Sequence, residues 1–93
     1  MKTPKIKNKQ FAIIGLGRFG STVAKTLFEK GEEVLAIDIK EDAVIAAQDY
    51  CTHSVVADIT DERAFHALGI ENFDVVIIAI ASDLEASVLC TLT

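Results

Sequence analysis

The chain has 93 residues, enough for one domain near the lower size limit for a solid core. Half of it is apolar (51%), which excludes a disordered chain. Asp and Glu outnumber Lys and Arg by 14 to 9 for a net charge of −5, and with no basic stripe this excludes a nucleic-acid-binding surface.

The only basic cluster is the leader, residues 1–8, with Lys2, Lys5 and Lys7 running on to Lys9. It contains Pro4 and lacks an apolar segment long enough for a signal peptide, so it reads as a solvated tail before a domain over 9–93. The alternative is a contact with an anionic membrane or partner. A strand is predicted over 10–14. A helix from Arg18 to Lys30 follows, with Phe19, Val23 and Leu27 on its apolar face and Ala24 and Phe28 beside them. Gly31 stops it. A second strand runs from Glu33 to Ile37 and ends at Asp38. A second helix starts near Glu41 and carries Ala43, Val44, Ala46 and Ala47.

Cys51 lies between this helix and a third strand, Ser54 to Ala57. With Cys90 it forms no CxxC or histidine pattern, so both are expected to be buried small residues or free thiols of a reducing cytoplasm. Thr60 is the expected N-cap of a third helix carrying Ala64, Phe65 and Leu68, ended by Gly69. The longest apolar run, Val75 to Ala81, is far short of the ~20 residues that span a bilayer and fits a strand buried on both faces. A fourth helix is expected from Ser82-Asp83 onward, still running at Thr93. Strand-helix-strand units with right-handed crossovers give an α/β, Rossmann-like doubly wound parallel sheet of order 3-2-1-4, with its crevice between strands 1 and 4. A complete fold of this kind has about six strands. Four followed by a helix imply a domain truncated from something longer.

The site residues cluster at the carboxyl ends of these strands. Gly15, Gly17 and Gly20 are spaced G-x-G-x-x-G between a strand and a helix. The first makes the sharp turn, the second leaves room for a pyrophosphate, and the third lets helix and strand approach. The helix start presents free N–H groups and a positive dipole end to phosphate oxygens. Asp38, at the end of strand 2, suits a ribose diol and repels a 2′-phosphate, so NADP is disfavoured against NAD, ADP or ATP. Its plainer alternative is a helix cap. Ile39 and Lys40 follow it beside the adenosine, though Lys40 is nearly as well read as a solvated lysine. Arg18 either pairs with phosphate oxygens or is a solvated first-turn arginine, and Phe19 follows it in the loop. Asp58 and Ile59 lie where adenine sits, Asp58 being equally a helix cap. Ile80, Ala81 and Ser82 line the far wall, and Ser82 also suits an N-cap. His53 and His66 read as ordinary histidines without a paired metal ligand. No nucleophile–base pair, carboxylate dyad or P-loop is present, so no catalytic or metal site is expected.

The form F-A-I-I-G-L-G-R-F-G at 11–20 is more specific than its glycines alone. Together with Val34–Asp38, Ala57–Glu62, Leu68-Gly69-Ile70 and Phe73–Ile80 it resembles the N-terminal domain of the regulator of K⁺ conductance (RCK) family. It is most like the TrkA/KtrA-type cytosolic subunits of bacterial Ktr and Trk potassium transporters. The resemblance covers nearly the whole chain after residue 7. It implies a non-enzymatic regulatory domain that binds NAD(H) or ATP/ADP. It further implies domains that pair into dimers and, in the full-length protein, an octameric ring. That ring sits at the inner face of the cell membrane beneath a K⁺ transporter subunit and gates it by changing shape. By matching position, Arg18 would meet terminal phosphates, Asp38 the ribose, Asp58 with Ile59 the adenine, and Ile80 to Ser82 the far wall. The family usually has a small residue where this chain has Ile59, which implies a narrower adenine pocket. Two other readings compete: the cofactor half of an NAD-dependent oxidoreductase, and a structural dimerisation module with a vestigial site.

Overall fold

The computed structural model describes residues 9–81 and 86–92. In chain order these form β1 (Gln10–Ile14), α1 (Arg18–Glu29), β2 (Glu33–Asp38), α2 (Glu41–Ala47), β3 (His53–Val56) and α3 (Glu62–Ala67). A 3₁₀ turn over Ile70–Asn72, β4 (Val75–Ala81) and β5 (Ala86–Leu92) follow. One sheet holds all the strands in the order β3-β2-β1-β4-β5. Its first four members pair in parallel, as the alternation of strand and helix requires.

Apolar residues fill both faces of the sheet because the central strands are buried on both. Ile13, Val34 and Ala36 face α1 and α2, in a cluster with Leu16, Ala24, Val44, Ala47 and Cys51. Ala12, Ile14, Leu35, Ile37 and Val76 face the other way, with Ile70 and the half-buried Phe65 and Leu68 of the α3 region. The alternation along each strand distributes neighbouring residues between the two layers. Ile13, Ile37 and Ile70 are wholly buried, each contributing roughly 2–3 kcal/mol relative to exposure. Burial pushes the Cys51 thiol up to about 11, so it acts as a small core residue.

The α1 face is rotated from the expected one. Gly20 and Ala24 are its buried residues, with Val23 and Leu27 packed partly against the core. Phe19 and Phe28 are exposed at 45% and 39%. The helix lies so close to the sheet that only a hydrogen and a methyl fit beneath it, and the aromatic rings turn outward. At its far end Gly31, with φ +89°, donates to Phe28 O at 3.0 Å, and Glu32 N donates to Leu27 O at 3.1 Å. This is the double closure that a left-handed glycine permits.

Two expectations are corrected. Asp61, not Thr60, caps α3: its Oδ1 accepts from Arg63 N at 3.0 Å. Residues 86–92, expected in a fourth helix, form β5, antiparallel to β4 from Val75↔Leu92 to Ala81↔Ala86. Val88 and Thr91 are β-branched and favour this state, and pairing satisfies the β4 edge that a helix would leave open. Ser82 lies outside the described residues, as does the 1–8 leader.

Candidate functional site

The parallel register aligns the carboxyl ends of β1, β2 and β4: Ile14 sits beside Ile37 on one side and Ile78 on the other. The chain leaves β1 toward β2 on one side and returns from β3 to β4 on the other, so a crevice opens at the switch point between β1 and β4. Here an open groove of about 890 Å³ runs past Gly15 and Gly17, along Asp38, Ile39 and Lys40, to Asp58 and Ile59. A smaller depression, about 490 Å³, lies at the opposite end among Gln10, Glu33, His53 and Phe73 and has no glycine turn.

Each glycine has a distinct physical reason. Gly15 adopts φ +102°, and a Cβ there would collide with the Ala79 carbonyl oxygen. A Cβ at Gly20 would collide with the Gly15 carbonyl. A Cβ at Gly17 would meet no atom within 4 Å, so packing within the chain does not demand a glycine there. Gly17 is also the N-cap of α1. It supplies no side-chain cap, and the first turn holds no acidic residue. By contrast α2 begins with Glu41 and Asp42, which offset its dipole. The α1 start is therefore the electropositive end of the groove, offset by no acidic side chain within its own first turn.

The other end is acidic. Asp42 and Asp58 line it and Asp38 stands between it and the glycine turn, with Lys40 as the only lining cation among the described residues. Asp38 Oδ2 accepts from Leu16 N at 2.7 Å and its Oδ1 accepts from Lys40 N at 2.9 Å. It makes no cap to the N–H groups inside α2, whose N-cap is Lys40 without a side-chain bond. Asp58 Oδ1 accepts from Thr60 Oγ1 at 2.6 Å and Thr60 N at 3.0 Å. These bonds, the hydroxyl's first, hold its carboxyl below the usual carboxylate range, so it is an acceptor near neutral pH. Asp58 thus closes its own turn instead of capping α3. Ile59 packs half-buried against the α3-side cluster while also lining the groove.

The structure therefore brings Gly15, Gly17, Asp38, Ile39, Lys40, Asp58 and Ile59 to one groove. It does not bring Arg18 or Phe19 into the lining; both are exposed in the first turn of α1. Gly20 acts beneath the loop through packing. Ile80 and Ala81 end β4 at the carboxyl edge. Sequence reasoning missed Asp42, Ala43 and Thr60 as lining residues. Asp42 stands four residues after Asp38, at the helix start where an acid is ordinarily read as dipole compensation. Asp58-x-Thr60 carries the local signal of an Asx turn. His66 Nδ1 lies 3.2 Å from Glu71 Oε2 on the surface, away from the groove lining.

Two Ktr system potassium uptake proteins match the sequence along nearly its whole length. Ktr system potassium uptake protein A of Bacillus subtilis (strain 168) is 53% identical over 88 residues, covering 95% of this chain and 40% of that protein. Ktr system potassium uptake protein C of the same organism is 50% identical over 84 residues, covering 90% and 38%. An NAD(+)-dependent, decarboxylating 6-phosphogluconate dehydrogenase of Haloferax volcanii is 41% identical over 54 residues, covering 56% and 18%. The chain spans about two fifths of the length of the Ktr relatives it matches. The model of the TrkA-N domain matches residues 11–93. With its glycine loop, parallel sheet and carboxylate at the end of β2, the chain belongs to the TrkA-N (RCK N-terminal) family.

Proposed function

We propose that this chain is the nucleotide-binding regulatory domain of a potassium uptake system, non-enzymatic itself, acting on a membrane K⁺ transporter subunit. The observation that carries the nucleotide part is the polarity of the groove. A helix start with no acid in its first turn and an open space at Gly17 stand at one end, Asp42 and Asp58 line the other, and Asp38 lies between them with its Oδ2 on Leu16 N. A molecule with phosphates at one end and an adenosine at the other has the complementary polarity. The pyrophosphate would lie over Gly15 and Gly17, the ribose diol on Asp38, and the adenine between Ile39, Lys40, Asp58 and Ile59. Ile80 and Ala81, at the end of β4, would stand on the far side, and Ser82, the third residue expected there, lies outside the described residues. Three carboxylates in the lining disfavour a 2′-phosphate, so the ligand class is NAD(H) or ATP/ADP.

Potassium uptake is supported by the Ktr relatives at about half identity. The described residues contain no helix long and apolar enough to cross a membrane, so ion flow would belong to a partner that the domain contacts from the cytoplasm. Homo-oligomeric assembly, as a dimer within a ring, would pass the nucleotide state to that partner. The alternative, the cofactor half of an NAD-dependent oxidoreductase, has the Haloferax match in its favour, over little more than half the chain.

Isothermal titration of the intact protein with NADH, NAD, ATP and ADP, repeated with Asp38→Ala, tests the proposal. ATP or ADP binding at least as tightly as NAD, and lost in the variant, is the expected result. Binding of NAD or NADH alone, with hydride transfer to a substrate, would establish the oxidoreductase instead. Failure of all four to bind would leave a structural module.

A further inference from the structure

The Asp38 carboxylate touches more than a ribose would need. Gly15 N donates to Ile37 O at 2.8 Å, and the next amide, Leu16 N, donates to Asp38 Oδ2 at 2.7 Å. Two successive amides of the glycine turn are thus held by the last two residues of β2. The other oxygen, Oδ1, accepts from Lys40 N at 2.9 Å. One carboxylate therefore joins the loop after β1 to the loop after β2, and these two loops form the mouth of the groove.

We propose that Asp38 is a positioning residue for the phosphate-binding turn, setting its shape before any ligand arrives, in addition to accepting the ribose hydroxyls. This rests on the nucleotide reading of the groove for its ligand arm, and on the two hydrogen bonds alone for its ligand-free arm. A carboxylate has about four lone-pair sites. Two serve the backbone, which leaves two for a diol. The bond to Leu16 is short and charge-assisted, of the stronger class. Leu16 is itself buried among the α1 and α2 core residues, so the amide is fixed from both its side chain and its N–H. Phosphate and ribose subsites are then one mechanical unit: whatever draws Asp38 toward a ribose also pulls on the turn that meets the phosphates.

The test uses the intact protein and two readouts. The first is amide hydrogen exchange at Leu16 without ligand, in wild type, Asp38→Ala and Asp38→Asn. Exchange faster by about ten-fold in the alanine variant, with the asparagine variant between, is expected for loss of a charge-assisted bond. The second is the affinity for 2′,3′-dideoxy-ADP, which has no ribose hydroxyls for Asp38 to accept. A pure ribose acceptor would leave this affinity unchanged on substitution, whereas a positioning residue loses about ten-fold. An unchanged result in either readout overturns the proposal. Should the alanine variant not fold, the asparagine variant carries both readouts, since it keeps the side-chain volume. If wild type binds neither ADP nor the dideoxy analogue, the nucleotide reading falls and the exchange measurement alone decides the positioning role.

Discussion

A single methyl group separates two kinds of glycine in the same turn. At Gly20 the added carbon would strike the Gly15 backbone, whereas at Gly17 it would stand in open space. Gly17 also has φ −71°, which any residue adopts. Gly20→Ala should therefore cost roughly 3 kcal/mol of stability, the upper end of overpacking penalties. Gly17→Ala should stay within about 1 kcal/mol yet weaken ADP binding. Denaturant unfolding and ADP titration of both variants separate these effects, and equal destabilisation would refute the division. The glycine spacing and the acid at the end of β2 were legible because each answers a local backbone demand. Phe19 is exposed where the helical spacing predicts an apolar face. A stripe at Phe19, Val23 and Leu27 and one at Gly20, Ala24 and Leu27 both satisfy helical spacing. Only the closeness of the sheet chooses the smaller pair for burial.

At the scale of elements, α3 is held least by its own interior. None of its six residues is fully buried, and Ala64 and Phe65 are only half-buried. Its start depends on the Asp61 cap, and its approach on Asp58 gripping Thr60. Asp61→Ala should cost about 1 kcal/mol and should speed amide exchange through α3 while leaving β1 protected. Uniform loss of protection across the sheet would instead mean that α3 and the sheet unfold as one unit. The choice of Asp61 over Thr60 was not legible. Both residue types favour an N-cap, but α3 begins at Glu62, so Asp61 stands at the cap position, while Thr60 lies one residue earlier and closes the turn with Asp58. The β5 segment failed for a non-local reason. Seven residues with a helix-compatible pattern become a strand when they meet an unpaired edge, and that edge belongs to β4, not to the segment itself.

The whole molecule divides its labour along the sheet axis, with a packed two-faced core below and a polarised mouth above. This layout was readable from the strand–helix alternation, while the acidic reinforcement by Asp42 was not, since it arises only when α2 docks beside Asp38. Arg18 stands at the electropositive end, exposed and outside the groove lining. Its guanidinium suits a group that extends beyond the turn, as a third phosphate would. A ligand moves a two-state assembly only by its differential affinity for the two states. Arg18→Ala should therefore narrow the ATP/ADP affinity ratio about ten-fold and leave ADP binding nearly intact, measured by parallel titrations. Equal losses for both nucleotides would remove Arg18 from any discriminating role.

The obstruction above Gly15 is a carbonyl oxygen of Ala79, an atom that every amino acid contributes identically. A crowded side chain can be trimmed by a second mutation, but a crowded backbone atom cannot. Exchanging Ala79 for any other residue leaves the oxygen where it is. The position is therefore closed to compensatory drift: a lineage that loses this glycine regains the turn by restoring it, and no neighbouring substitution offers a detour.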